Sequence, residues 1–505
     1  MPDTIDRLVR LRAAEHGAKP MVIDQKSRLS YDELDVTTKE LAAGLIEAGI
    51  VKGTRVGLIM PNGVRWVQIA IAVTRIGAVL VPLSTLLQPR ELAAQLQTAS
   101  VQFLISVEEF RGHRYLDDLQ PEQLPALRRV WAADQLADVG DEAARVLVDA
   151  LAATVTPSDP MIVMFTSGSS GAPKGVMHSH GSALGAVASG LASRCIDSDT
   201  RLYLPMPFFW VGGFGSGVLS ALLAGATLVT EDIPQPETTL RLLERERVTL
   251  FRGWPDQAEA LARHPYRTEV DLSALRAGSL DALLAREQRA KPGARATLFG
   301  MTEAFGPYCG YPADTDMPSS AWGSCGRPFP GMEVRITDPD TGKPAAAETI
   351  GMIELRGPHT LRGICRRSRE ELFTTDGFYP TGDLGRLDDD GFLFYHGRSD
   401  DMFKVSGAIV YPTEVEQALR EIDGVQNAFV TNVTGARGDQ VGAVVVCNTA
   451  ANTAEQLRVA ARKLLSSFKV PTTWLLVDSD DTIPRGPTGK VDARRLRELL
   501  SGVNP

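Results

Sequence analysis

A chain of 505 residues and 54.5 kDa is too long for one ordinary core, and roughly 150 residues per domain predicts about three structural units. With 44% hydrophobic and 23% charged residues, the composition is that of a soluble globular protein. The 62 acidic against 53 basic residues give a formal charge of -9, which excludes a general binder of nucleic acid or anionic membrane but leaves room for a local basic pocket that holds a small anion.

The first element is an amphipathic helix. Ile5, Leu8, Val9 and Arg12 fall at helical spacing within MPDTIDRLVRLRAAEHG, which has no apolar signal-peptide core. Strand-like runs then alternate with helical patterns: VGLIM (56–60), an apolar helix near Trp66–Ile76, AVLVPL (78–83), the polar helix PRELAAQLQTAS and FLIS (103–106). Such alternation predicts a largely parallel sheet covered on both faces, and the same rhythm recurs from Met161 to about Phe299 as a second βα unit. No residue from Leu202 to Thr230 is charged, a length sufficient to span a bilayer. Pro205 and Pro207 break its start, however, and Gly212, Gly213, Gly215, Gly217 and Gly225 punctuate it, so a buried loop followed by a core helix is expected. A cytoplasmic protein with no integral membrane span is the resulting expectation. Between roughly 310 and 400, short runs such as VRIT, MIELRG and FLFYHG separated by D-G and T-G turns predict an antiparallel or barrel-like part. After GRSDD a small new α+β unit begins; its 105 residues from Asp401 carry 12 basic and 12 acidic side chains, so the whole negative balance belongs to the preceding residues. Five widely spaced cysteines without a C-x-x-C argue against a disulfide scaffold or a zinc site.

The chemistry concentrates in MIVMFTSGSSGAPKGVMHSH (161–180). An apolar strand runs into Thr166, Ser167, Gly168, Ser169, Ser170 and Gly171, then Pro173 and Lys174. Small residues let backbone N–H groups point at an anion, the hydroxyls add donors and Lys174 adds charge, which predicts a phosphate-binding loop. The spacing is not that of the G-x-x-x-x-G-K-[ST] loop.

This segment resembles the phosphate loop of the adenylate-forming superfamily of acyl-CoA synthetases, aryl-acid ligases, amino-acid adenylation domains and luciferases. The likeness continues in order through LFGMTE (298–303), YPTGDLGRLDDDGFLFYHGRSDDMFKVSG (379–407) and PRGPTGK (484–490), four motifs over more than 300 residues. The resemblance implies an α/β fold: a large N-terminal body (1–399) of two βα-type sheets plus a β-barrel-like part, and a small α+β cap (400–505) that turns on a hinge at Asp400. It also implies a two-step reaction with ATP, Mg²⁺ and CoA, in which a carboxylate attacks the α-phosphorus and a thiol then displaces AMP. By resemblance, residues Thr166–Gly171 and Lys174 hold the β- and γ-phosphates, Phe299 stacks on adenine, Gly300 belongs to the same nucleotide-binding element, Thr302 bonds a phosphate and Glu303 holds Mg²⁺. Asp383 accepts from the ribose hydroxyls, Arg398 lies near ribose and α-phosphate, Lys490 serves adenylation and Lys404 serves thioester formation. The setting of Lys490 is also similar to one that lysine acetyltransferases modify in related synthetases, which implies such an enzyme as a partner.

Departures from the superfamily pattern bear on the acid. PFFWVGGFGSG (207–217) resembles its acid-pocket element, but Trp210 stands where His is frequent, and no Asp between Leu202 and Thr230 could pair with an amino acid's ammonium. Phe208, Phe209, Trp210 and Trp254 suggest an apolar wall, with Gly212, Gly213 and Gly278 leaving room beside it. The expected function is an ATP-dependent ligase joining an apolar carboxylic acid (fatty, aryl or alicyclic) to CoA. Transfer to a carrier-protein phosphopantetheine or an amine is an alternative, and a nucleotide-binding module without turnover is another.

Overall fold

Six strands from the first half of the chain and one late addition form the largest sheet. In spatial order they are Gly363–Ile364, Lys174–Ser179, Pro160–Thr166, Val79–Pro82, Arg55–Ile59, Phe103–Ser106 and Arg129–Ala132. The five from Pro160–Thr166 onward run parallel, as their near-continuous apolar, buried character requires. Lys174–Ser179 is antiparallel to both of its neighbours. The protein is described by a computed structural model over residues 3–117, 119–136, 140–166, 174–399, 402–405, 408–435, 438–465, 467–485 and 491–502.

A second sheet has the order Leu250–Phe251, Arg201–Tyr203, Thr227–Val229, Pro20–Ile23 and Arg28–Ser30, parallel except for the last pair. The two sheets do not follow the sequence halves that local rhythm suggests. The hairpin 160–179 joins the first sheet through Leu80↔Ile162, and residues 20–30 join the second through Val22↔Leu228. Both pairings link distant segments, which periodicity within one segment cannot show. One apolar cluster contains strand residues from both sheets (Leu58, Ile162, Val22 and Leu228) together with the helix Val64–Arg75. At its centre Trp66 is fully buried and sits edge-on to Phe208 at 5.3 Å and to Phe214 at 5.4 Å.

Compactness divides the chain into two units. One comprises Met1–Val334, Leu355–Tyr379 and Gly391–Leu393; the other comprises Arg335–Glu354, Pro380–Asp390 and Phe394–Pro505. The second therefore takes in chain from well before residue 400, because Arg335–Glu354 and Pro380–Asp390 supply strands to the four-stranded sheet Glu333–Thr337, Gly351–Arg356, Tyr379–Leu387 and Leu393–Arg398. Its C-terminal part packs helices Pro412–Arg420, Ala454–Leu464 and Ala493–Ser501 with a sheet of Val425–Gly435, Gly438–Cys447 and Thr473–Val477. No described helix is long and apolar enough to cross a membrane.

Candidate active site

Two strands flank the expected phosphate loop. Pro160–Thr166 and Lys174–Ser179 pair antiparallel with Thr166 opposite Lys174, so the two ends of the loop face each other across one ladder. Ser167, Gly168, Ser169, Ser170 and Gly171 lie outside the described residues.

The segment Phe299–Glu303 forms a tight, heavily pinned turn. Strand Phe299–Met301 pairs with Gly306–Gly310, and the crossing is so close that a Cβ on Gly300 would stand 2.1 Å from the Gly306 carbonyl oxygen. Only glycine fits there. Thr302–Ala304 makes one 3-10 turn, closed by the Phe305 N–H donating to the Thr302 carbonyl at 3.0 Å, and Phe305 takes φ +53° to reverse the chain. Glu303 is only 8% exposed. Its backbone carbonyl accepts from the Leu361 N–H at 2.8 Å, and its Oε1 accepts from the Tyr379 hydroxyl at 3.3 Å. His178 lies under the same turn, with Nε2 2.8 Å from the Thr302 carbonyl oxygen and its ring edge-on to Phe305 at 4.9 Å. Complete burial pushes the His178 imidazole down to about 4, so it is neutral at pH 7. Phe299 is half-buried and stands edge-on to Tyr308 at 5.5 Å, leaving the expected adenine side chain on a defined aromatic support.

The expected acid wall adjoins this turn. After Trp210 the chain makes a short helical turn, Val211–Gly213, and then a π-helical segment, Phe214–Leu219, which runs into the helix Ser220–Ala224. π-Helical turns are rare and gather at functional sites. Here the widened turn is held by the Ser220 hydroxyl, which donates to the Gly215 carbonyl at 2.8 Å and accepts from the buried Arg194 guanidinium at 2.8 Å. The Val211 side chain lies 3.9 Å from the Cβ position of Gly306, and the Phe305 ring 3.3 Å from that of Gly215, so wall and turn touch. Phe209 stands edge-on to Trp210 at 5.3 Å, and Trp210 to Trp254 at 6.4 Å; Trp254 is 40% exposed. Gly278 lies near the end of the strand Leu250–Phe251, since the Phe251 N–H donates to the Ser279 hydroxyl at 3.1 Å and the Leu280 N–H to the Phe251 carbonyl at 3.1 Å. Two expected wall residues sit deeper. Phe208 is wholly in the core against Trp66, and Gly213 is buried beneath the Pro207 carbonyl, while Gly212 is half-buried beside Met206.

In the other unit the structure brings Asp383 and Arg398 together. Arg398 Nη1 donates to Asp383 Oδ1 and to the Thr381 carbonyl, both at 3.2 Å, and the Asp383 N–H donates to the Thr381 hydroxyl at 2.9 Å. The carboxylate is largely buried and already faces a cation. Lys404 lies on the strand Phe403–Val405, opposite Ile409 in the paired strand. Asp400 and Lys490 lie outside the described residues.

Sequence reasoning assigned no role to His178 or Tyr379, although both stand within its quoted motifs. The identity of each residue was visible; its partner, 124 and 76 residues away, was not. Among the described residues no three His, Cys, Asp or Glu side chains gather as a self-sufficient metal cage. One buried carboxylate, Glu303, suits Mg²⁺, which keeps several waters and needs only one or two protein carboxylates beside substrate phosphates.

Comparison with known proteins finds two family patterns and full-length relatives. The pattern of the AMP-binding enzyme family matches residues 9–365, and that of the AMP-binding enzyme C-terminal domain matches 414–490. The 3-(7a-methyl-1,5-dioxo-octahydro-1H-inden-4-yl)propanoyl:CoA ligase of Mycobacterium tuberculosis is 34% identical, covering 99% of this chain and 98% of its own. A feruloyl-CoA synthase of Amycolatopsis is 30% identical over 92% of both chains. Among solved structures, ATP-bound MatB from Rhodopseudomonas palustris superposes with a TM-score of 0.81 at 25% identity, covering 99% of each chain.

Proposed function

Because the chain belongs to the AMP-binding enzyme family, we infer that it is an ATP-dependent carboxylic acid–CoA ligase. In the first step a substrate carboxylate oxygen attacks the α-phosphorus of ATP, the bond to pyrophosphate breaks and an acyl-adenylate forms. In the second, the CoA sulfur attacks the acyl carbonyl carbon, the bond to the AMP oxygen breaks and the thioester is released. The observation that carries this reading is the Thr302–Glu303 turn: a buried carboxylate and a hydroxyl, pinned through both backbone carbonyls, in contact with an aromatic wall.

The first step brings an anion to an anion, so the protein's work is charge neutralisation and alignment. Mg²⁺, when bound with ATP, would supply positive charge that offsets the phosphates. Glu303 would hold it, and the Thr302 hydroxyl would donate to a phosphate oxygen. The loop 166–174, with Lys174 at its end, would surround the β- and γ-phosphates through hydroxyl and N–H donors. Phe299 and Gly300 would bound the adenine. Asp383 would accept from both ribose hydroxyls, with Arg398 holding its orientation and facing the α-phosphate; their mutual pairing supports this assignment. Lys490 would neutralise the attacking carboxylate and α-phosphate in adenylation, and the strand carrying Lys404 would serve thioester formation, with Asp400 as the hinge that exchanges them. Acetylation of Lys490 by a lysine acetyltransferase would remove the charge on which the first step depends.

The acid is apolar, and a ring-bearing acid is the better fit. Phe209, Trp210 and Trp254 offer rigid edges, the segment 202–230 has no charge, and the two relatives named above act on a bicyclic and an aryl acid. A panel of alicyclic, aryl, fatty and amino acids, scored for acid-dependent pyrophosphate release with and without CoA, tests both parts. Release confined to amino acids would overturn the substrate class, and release that never leads to a CoA thioester would overturn the acceptor.

A further inference from the structure

The strand Lys174–Ser179 does more than end the phosphate loop. Alternation along a strand puts Lys174, Val176 and His178 on one face. Val176 belongs to an apolar cluster with Leu361, Ile364, Leu372 and Tyr379, against which Met301 packs. Leu361 and Tyr379 are the residues that pin Glu303. Further along the same face, His178 reaches the Thr302 carbonyl at 2.8 Å. A carbonyl can only accept, so His178 Nε2 carries the hydrogen, and Nδ1 is the accepting nitrogen, 3.4 Å from the Ser182 hydroxyl, whose one hydrogen is shared with the Ser179 carbonyl at 3.3 Å. Ser182 is fixed in turn by the capping box that opens the helix His180–Ser189. A fully buried imidazole thus has a donor, an acceptor and one fixed orientation, whereas filling space would require only an apolar side chain of similar size.

We propose that His178 is a positioning residue for adenylation: by donating to the Thr302 carbonyl it sets the turn that aims the Thr302 hydroxyl and the Glu303 carboxylate at Mg·ATP. One strand then carries both the end of the phosphate loop and the support of the metal-binding turn, so the two halves of the triphosphate site share a single rigid part. This rests on the ligase reading above and adds to it a residue that need not touch any substrate.

The test uses the full chain and three variants. His178→Leu keeps the packing and loses the donor. His178→Gln places an amide N–H where Nε2 stands, and His178→Asn is too short to reach. Binding of Mg·ATP is measured by calorimetry without any acid, alongside KM for ATP, kcat for pyrophosphate release and thioester formation from supplied acyl-adenylate and CoA. His178→Leu and His178→Asn are expected to weaken Mg·ATP about tenfold, the scale of one buried hydrogen bond, and to raise KM in step. His178→Gln should remain within about threefold of the parent, and all three should form thioester at the parental rate. Unchanged Mg·ATP binding in His178→Leu, failure of Gln to rescue, or an equal loss in both half-reactions would overturn the proposal. If the parent protein releases no pyrophosphate with any acid, it is the ligase reading that fails, and the calorimetric comparison still decides the role of His178.

Discussion

At the scale of single residues, two of the groups proposed to meet the nucleotide are already paired with each other. Asp383 faces Arg398, and the approach is possible because Gly382 lies between them at φ +77°, with Arg398 Nη2 2.9 Å from where its Cβ would be. Gly382→Ala would meet both a left-handed backbone penalty and that guanidinium. It should raise KM for ATP about tenfold, equivalent to ~1.4 kcal/mol, with a smaller effect on kcat. Steady-state kinetics on the purified variant check this, and an unchanged KM would remove Arg398 from the ribose side. The same residues show what a sequence does and does not disclose. Thr302, Glu303 and Asp383 could be singled out from sequence as candidates because each sits in a short ordered motif. The pairing of Asp383 with Arg398, and the support that His178 and Tyr379 give to the Thr302–Glu303 turn, depend on chain reversals that no local pattern encodes.

At the scale of elements, the packing of the first helices turns on one buried cation. Arg75, at the end of Val64–Arg75, is fully buried; it donates to Asp6 at 2.7 Å, to Asp35 at 2.8 Å and to the Thr38 hydroxyl at 2.7 Å, tying that helix to Ile5–His16 and Tyr31–Glu47. Removing one partner of such a cluster leaves uncompensated buried charge. Arg75→Ala is therefore expected to destabilise the protein by about 3–5 kcal/mol, seen as a lower urea midpoint with little change in slope. A shift below about 1 kcal/mol would mean that water reaches the two carboxylates. Element identity was largely readable: FLIS is the strand Phe103–Ser106, and the first amphipathic helix is Ile5–His16. Sheet membership was not, because Pro20–Ile23 lies beside Thr227–Val229 and the intervening two hundred or so residues carry no mark of it. Phe208 illustrates the same limit. Beside Phe209 and Trp210 it reads as pocket wall, yet Trp66 from another helix claims it for the core.

At the scale of the whole molecule, acid is the condition that should expose the fold's weak point. His178 and His180 are both buried, and burial pushes each down to about 4 from an ordinary value of 6.5. An unfolded chain takes up these protons first, so each histidine's stability contribution is complete above about pH 6.5 and is lost as pH falls toward 4. At 1.36 kcal/mol per pH unit this is up to roughly 3 kcal/mol per group. Urea midpoints measured from pH 7 to 4 should fall across that window, and His180→Phe should flatten the decline; a profile parallel to that of the parent would show that His180 is not protonated on unfolding there. The proposed division of labour between the two reaction steps belongs to this scale too. Lys490→Ala should slow adenylation by at least about 10²-fold while sparing thioester formation from supplied acyl-adenylate, and equal losses in both would refute separate roles. Finally, the two compact units alternate along the chain: the smaller begins at Arg335, yet the larger is not complete until Leu393. A ribosome delivering this chain therefore hands over the opening strands of one unit before the last pieces of the other have emerged, so neither can finish folding as an independent bead on a string. No single proteolytic nick or splice point along the chain therefore separates one unit from the other.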